Sequence, residues 1–99
     1  MNGHRIIQLQ PADGDFAAAG IKQITVQTRY ADAASGLNFA SNCVFASAKD
    51  RGAFEFDYVD PQKTNYEFAT TTLFTNGLSK NTDWQPSGAD ELVVPLGAS

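Results

Sequence analysis

Ala53-Phe54-Glu55-Phe56-Asp57-Tyr58-Val59 alternates three aromatic side chains with two carboxylates. In an extended chain successive side chains point to opposite sides, so Phe54, Phe56 and Tyr58 share one face and Glu55 and Asp57 the other. A strand with one face in a core and one in water belongs to an antiparallel sheet. Directly after it, Asp60-Pro61-Gln62-Lys63 sets a turn through proline's fixed φ. From Asn65 to Thr75 the alternation resumes, with Tyr66, Phe68, Thr70, Thr72 and Phe74 on one parity. Two amphipathic strands joined by a proline turn make the class all-β.

The rest of the chain follows the same period. Arg5 to Gln10 reads as a first strand, and Ile24, Val26, Thr28 and Tyr30 share a face opposite Thr25, Gln27 and Arg29. Phe39, Cys43 and Phe45 share a parity that Ser41 interrupts, and a last strand runs from Glu91 to Leu96. Turn chemistry separates these segments at Asp32–Gly36, Ala48–Gly52 and Pro86–Asp90. Asn76-Gly77 accepts positive φ at both central positions, as a type I′ hairpin demands. Asp15-Phe16-Ala17-Ala18-Ala19 is the one stretch of helix formers, and Gly20 stops it after little more than a turn. The expectation is a single domain over residues 1–99: an antiparallel two-sheet sandwich of about seven strands.

Composition agrees. Of 99 residues 42% are hydrophobic and 11% aromatic, enough for one modest core and too apolar for a disordered chain. A net charge of −4 with scattered basic residues argues against nucleic-acid and anionic-membrane partners. One cysteine excludes an intrachain disulfide framework or a cysteine metal cluster, and no apolar run reaches the roughly 20 residues of a membrane helix. The opening residues carry no signal-peptide pattern. The first and last strands lie close to the ends of the chain, which favours one module of a larger extracellular, cell-surface or particle-associated protein over a cytoplasmic one.

The stretch Val59-Asp60-Pro61-Gln62-Lys63-Thr64-Asn65-Tyr66-Glu67-Phe68-Ala69-Thr70 resembles the E–F corner of fibronectin type III-like and immunoglobulin-like domains. The resemblance implies that Tyr66 is the corner tyrosine, its hydroxyl reaching back to upstream backbone. Pro61 and Thr64 would shape the turn and Phe68 would point into the core. Trp84-Gln85-Pro86-Ser87, followed by Leu92-Val93-Val94, is similar to the tryptophan, serine and closing G strand of such modules. The resemblance covers the C-terminal half. The N-terminal half lacks the usual strand-B tryptophan, whose volume the resemblance would have Tyr30 fill in part, and the sheet assignment of its strands stays open.

Residues that bear chemistry are few. His4 and Cys43 form a nucleophilic pair only if the fold brings them together, and His4 lies beside a terminus expected to fray. Cys43, in an apolar strand, reads as a small buried hydrophobe. Asp13 with Asp15, and Asp57 with Asp60, supply too few oxygens for calcium and suit turns and strand edges better. The Gly-x-Ser-x-Gly elbow and Gly-rich phosphate loops are missing, so no catalytic residue, metal site or cofactor is implied. The threonines of Thr70-Thr71-Thr72 suit a pleated surface. Trp84, between Asp83 and Gln85, is weighed two ways: sealing the core at an edge, or forming with Asn76 and Asp83 a weak binding surface. Phe54, Phe56 and Phe68, with Tyr66 and Pro61, are structural. The leading expectation is a non-catalytic spacer or protein-interaction module that contacts a protein partner or neighbouring domains through edge strands and the Asn76–Pro86 region. The alternative is a carbohydrate-binding module that uses an exposed Trp84.

Overall fold

Alternation along the chain becomes alternation of burial in the computed structural model, which describes residues 3–96. Its eight strands are β1 (Gly3–Pro11), β2 (Ile21–Asp32), β3 (Leu37–Phe45), β4 (Gly52–Tyr58), β5 (Tyr66–Phe74), β6 (Ser79–Asn81), β7 (Gln85–Ser87) and β8 (Glu91–Val94). A three-residue 3-10 turn, Ala33–Ser35, joins β2 to β3 and ends at Gly36 with φ of 71°. One sheet runs β4-β1-β8; the other runs β3-β2-β5, with both β6 and β7 on the far edge of β5.

The two sheets enclose one core. Ile7 and Leu9 of β1, Ile24, Val26 and Tyr30 of β2, Phe45, Phe54, Phe56, Tyr66, Phe68, Phe74, Leu92 and Val94 are buried together. Phe56 from the first sheet stacks on Tyr30 from the second, with centroids 4.2 Å apart and planes 14° off parallel. Phe54 tilts against Phe56 at 5.3 Å and meets the edge of Tyr66 at 6.2 Å. Tyr58 packs against this core partly buried. Thr28, Thr70 and Thr72 are also buried, because their parity in β2 and β5 faces inward.

The proline turn forms as its residues dictate. Lys63 N–H donates to the Asp60 carbonyl at 2.9 Å, and Gln62 N–H donates to the Asp60 carboxylate at 2.9 Å. Its outer limb is tied across the sandwich: the Tyr30 hydroxyl donates to the Lys63 carbonyl at 2.6 Å and Arg5 to the Thr64 carbonyl at 2.7 Å. The Lys63 ammonium stands 3.7 Å from the Asp32 carboxylate, whose side chain is 1% exposed.

Four expectations are corrected. The Tyr66 hydroxyl does not reach upstream; it donates to the Ala89 carbonyl at 2.8 Å and accepts from Ser87 at 3.2 Å. Tyr30 takes the corner carbonyl instead. The sheets are not wholly antiparallel, because β8 pairs with β1 in parallel. The edge of β5 is already taken by β6 and β7, so the closing segment crosses to the other sheet. Arg5 binds the Gly88 carbonyl and the Asp90 carboxylate, and Gln8 N–H binds the Asp90 carbonyl, which lays the segment alongside β1. Asn76-Gly77 is not a type I′ turn: Gly77 has φ of 89°, but among the described residues none other than glycine has positive φ. Gly77 N–H donates to the Phe74 carbonyl and Phe74 N–H to the Leu78 carbonyl, giving a three-residue loop with glycine in the left-handed position. His4, finally, is held in place despite lying near the terminus; it is within β1, opposite Asp57 of β4.

Candidate interaction surface

Trp84 owes its position to one extra residue. Thr71 of β5 pairs with Asn81 of β6, and Phe68 of β5 pairs with Gln85 of β7. Ala69 and Thr70 therefore oppose three residues, Thr82, Asp83 and Trp84, which is a β-bulge. Thr82 closes the gap: its hydroxyl accepts from Thr70 N–H at 2.9 Å, and its own N–H donates to the Thr70 carbonyl at 2.9 Å. A one-residue slip exchanges the two faces of a strand. Continuing the β6 register would set Trp84 opposite Phe68, on the core side. The bulge sets it one place earlier, on the outer side.

On that outer face Arg29 of β2 pairs with Glu67 of β5, and Arg29 Nε donates to the Glu67 carboxylate at 3.0 Å. The Arg29 guanidinium lies 3.8 Å from the centroid of the Trp84 ring. An arginine held by a carboxylate and stacked on an indole is a cation–π contact, worth about 0.5–1 kcal/mol where exposed. Trp84 remains 37% exposed and lies outside the buried core. The expectation that it seals the core at an edge is thus replaced by an outward-facing ring clamped by Arg29.

The other residues proposed with it are placed elsewhere. Asn76 sits in the β5–β6 turn, where its side chain accepts from Leu78 N–H at 3.0 Å. Phe74, which flanks that turn, is six residues along β5 from Phe68, beside Trp84's neighbour Gln85. That is about 20 Å of strand. Asp83 is exposed within the bulge beside Trp84. Sequence reasoning missed Arg29 and Glu67. Their signal was present: opposite charges on the outward parity of two threonine- and aromatic-rich strands, legible only once β2 and β5 are known to pair.

Cys43 and His4 are not brought together. An added Cβ at Gly52 would strike the Cys43 sulfur, so the thiol lies over that end of β4. His4 lies beside Asp57 at the other end, roughly 17 Å along the strand. Burial, reinforced by Asp50, pushes the Cys43 thiol above its ordinary value, which disfavours the reactive thiolate. On the outer face of the first sheet His4 Nδ1 meets Asp57 at 2.6 Å and Nε2 meets Glu55 at 3.3 Å. These two carboxylates raise its pKa. Asp15 is engaged in capping Ala17 and Ala18, and Asp60 in capping Gln62. An open depression lined by Phe16, Ala17, Ala46 and Ala48 lies between the β1–β2 and β3–β4 connections. Comparison of the chain with protein-family models, with curated proteins and with solved structures finds no match.

Proposed function

We propose that the chain is a non-catalytic immunoglobulin- or fibronectin type III-like module, serving as a spacer or protein-interaction unit of a larger surface or assembly protein. The observation that carries the reading is the Trp84–Arg29 stack. A bulge delivers an indole outward and a paired arginine holds it, so an aromatic and an arginine stand preorganised on one face. Those residue types dominate the energetics of protein interfaces. The strand order supports the family. With β1, β2, β3, β4 and β5 as B, C, C′, E and F, and β6 with β7 as G, the sheets carry the B–E and C′–C–F–G neighbours of such sandwiches. β8 then occupies the free side of B. The long axis of 48 Å, against 21 and 15 Å across, suits a spacer.

Carbohydrate binding through Trp84 is the alternative reading, and the Arg29 guanidinium leaves a sugar only one face of the ring. The two readings separate by selecting a displayed peptide library and probing a glycan array with the parent and with Trp84→Ala. The parent is expected to enrich peptides that Trp84→Ala, still folded, no longer binds. Enriched peptides that bind both chains equally would remove Trp84 from the contact. Glycan binding lost in Trp84→Ala would replace the protein partner with a sugar.

A further inference from the structure

Four strand edges of the sandwich are free of a ladder partner among the described residues, and three of them are blunted. β4 projects Glu55 and Asp57 outward. β8 is four residues long and is followed by Pro95. The β6–β7 edge is broken by its bulge and carries Lys80 and Pro86. Short length, charge, proline and bulges are the devices by which sheets refuse another strand. β3 has none of them. It runs nine residues, Leu37-Asn38-Phe39-Ala40-Ser41-Asn42-Cys43-Val44-Phe45, without a charge or a proline, and its one ladder partner is β2.

Three of the side chains that β3 turns toward the core are incompletely covered, whereas Phe45 at its end is fully buried. Ile24, Val26, Thr28 and Tyr30 of the adjacent β2 are all but inaccessible, whereas Leu37, Phe39 and Cys43 are only partly buried against the core. Along Leu37 and Phe39 the apolar layer thus runs out to the open edge, while at the other end Gly52 of β4 lies against Cys43.

We propose that β3 is the site at which a second copy of this chain adds, antiparallel, across a two-fold axis through Ser41. That register sets Leu37 opposite Phe45 and Phe39 opposite Cys43 on the inner side, so the two cores become one layer. On the outer side it sets Ala40 opposite Asn42 and Asn38 opposite Val44. A chain of net charge −4 repels its own copy, and β3 is the edge that adds no charge of its own to such a contact. Main-chain ladder bonds supply the attraction and the inner pairs fix the register. The surface is separate from Trp84, so the proposal stands or falls independently of that residue.

Sedimentation equilibrium from micromolar to millimolar concentration tests it on the purified chain. The parent is expected to pass from monomer to dimer, and Trp84→Ala to do the same. A parent that stays monomeric throughout overturns the proposal. Ala40 and Asn42 are exposed, so both accept charge without disturbing the core. Ala40→Glu with Asn42→Glu sets like charges opposite each other twice and should weaken the dimer about tenfold or more. Ala40→Lys with Asn42→Glu sets opposite charges at the same two places and should associate at least as tightly as the parent. Equal association of the Glu/Glu and Lys/Glu chains would overturn the register.

Discussion

His4 illustrates how strand register alone turns ordinary residues into a coupled group. Pairing of β1 with β4 sets His4 directly opposite Asp57 and one diagonal from Glu55, and each ring nitrogen faces one of these carboxylates within hydrogen-bond distance. The imidazole pKa is therefore raised above 6.5, with Asp57 the larger cause and Glu55 the next. A group whose folded pKa exceeds its unfolded one adds stability that is fully present below the unfolded value. That contribution disappears as pH rises through the folded value. The chain is expected to lose a small increment of stability as pH rises from 6.5 through the raised value, and Asp57→Asn to lose less over the same range. A proton-NMR titration of the His4 ring reads the raised pKa directly; a midpoint at or below 6.5 would remove the coupling. Side-chain parity at this scale was readable from the sequence at Ile24, Val26, Thr28 and Tyr30 of β2 and along β4 and β5, but not at Ile21, beyond a register shift, or at Asp32, which reads as a turn residue. Hydrogen-bond partners were not, because they join residues tens of positions apart. Tyr66 was rightly placed as a buried strand-opening residue, yet its hydroxyl found Ala89, while Tyr30 took the corner carbonyl.

Among the elements, the bulge decides what the candidate surface is. Asp83 is the central residue of the three that oppose Ala69 and Thr70. Deleting it brings β6 and β7 into one continuous register, with Thr82 opposite Thr70 and Trp84 opposite Ala69, still on the outer side. The variant should keep the Arg29 stack, with tryptophan emission and access to a soluble quencher near the parent's. A blue shift with reduced quenching would mean that the pairing of β7 with β5 does not hold the ring outward. The sequence concealed this because Ser79–Asn81 and Gln85–Ser87 are three-residue strands with no alternation to count. The same limit hid the crossing of β8. Its Leu92 and Val94 face the core as their parity requires, but a four-residue strand has no sequence mark for the sheet it joins. Long alternating runs announced themselves, and the short edges did not.

For the whole molecule, the distribution of stability separates the interior from the proposed contact surface. Phe56 is 1% exposed and is the ring through which the sheets meet, stacked on Tyr30 and tilted against both Phe54 and Tyr66. Truncating a buried phenylalanine costs about 3–5 kcal/mol through lost transfer energy and the cavity left behind. A domain of this size has only about 5–15 kcal/mol in all. Trp84 is the larger side chain, but it is held from outside by Arg29, a contact of about 0.5–1 kcal/mol, and no part of the core closes over it. Size alone would rank Trp84→Ala as the more damaging change; position reverses the order. Phe56→Ala should lose most of its folded population at room temperature, while Trp84→Ala keeps dispersed amide spectra and a denaturant midpoint near the parent's. Urea unfolding of the two variants beside the parent decides it, with equal m-values needed for the midpoints to be compared. If Trp84→Ala unfolds first, the indole belongs to the core and the surface built on it disappears. If Phe56→Ala stays as folded as the parent, the two sheets do not depend on their aromatic contact.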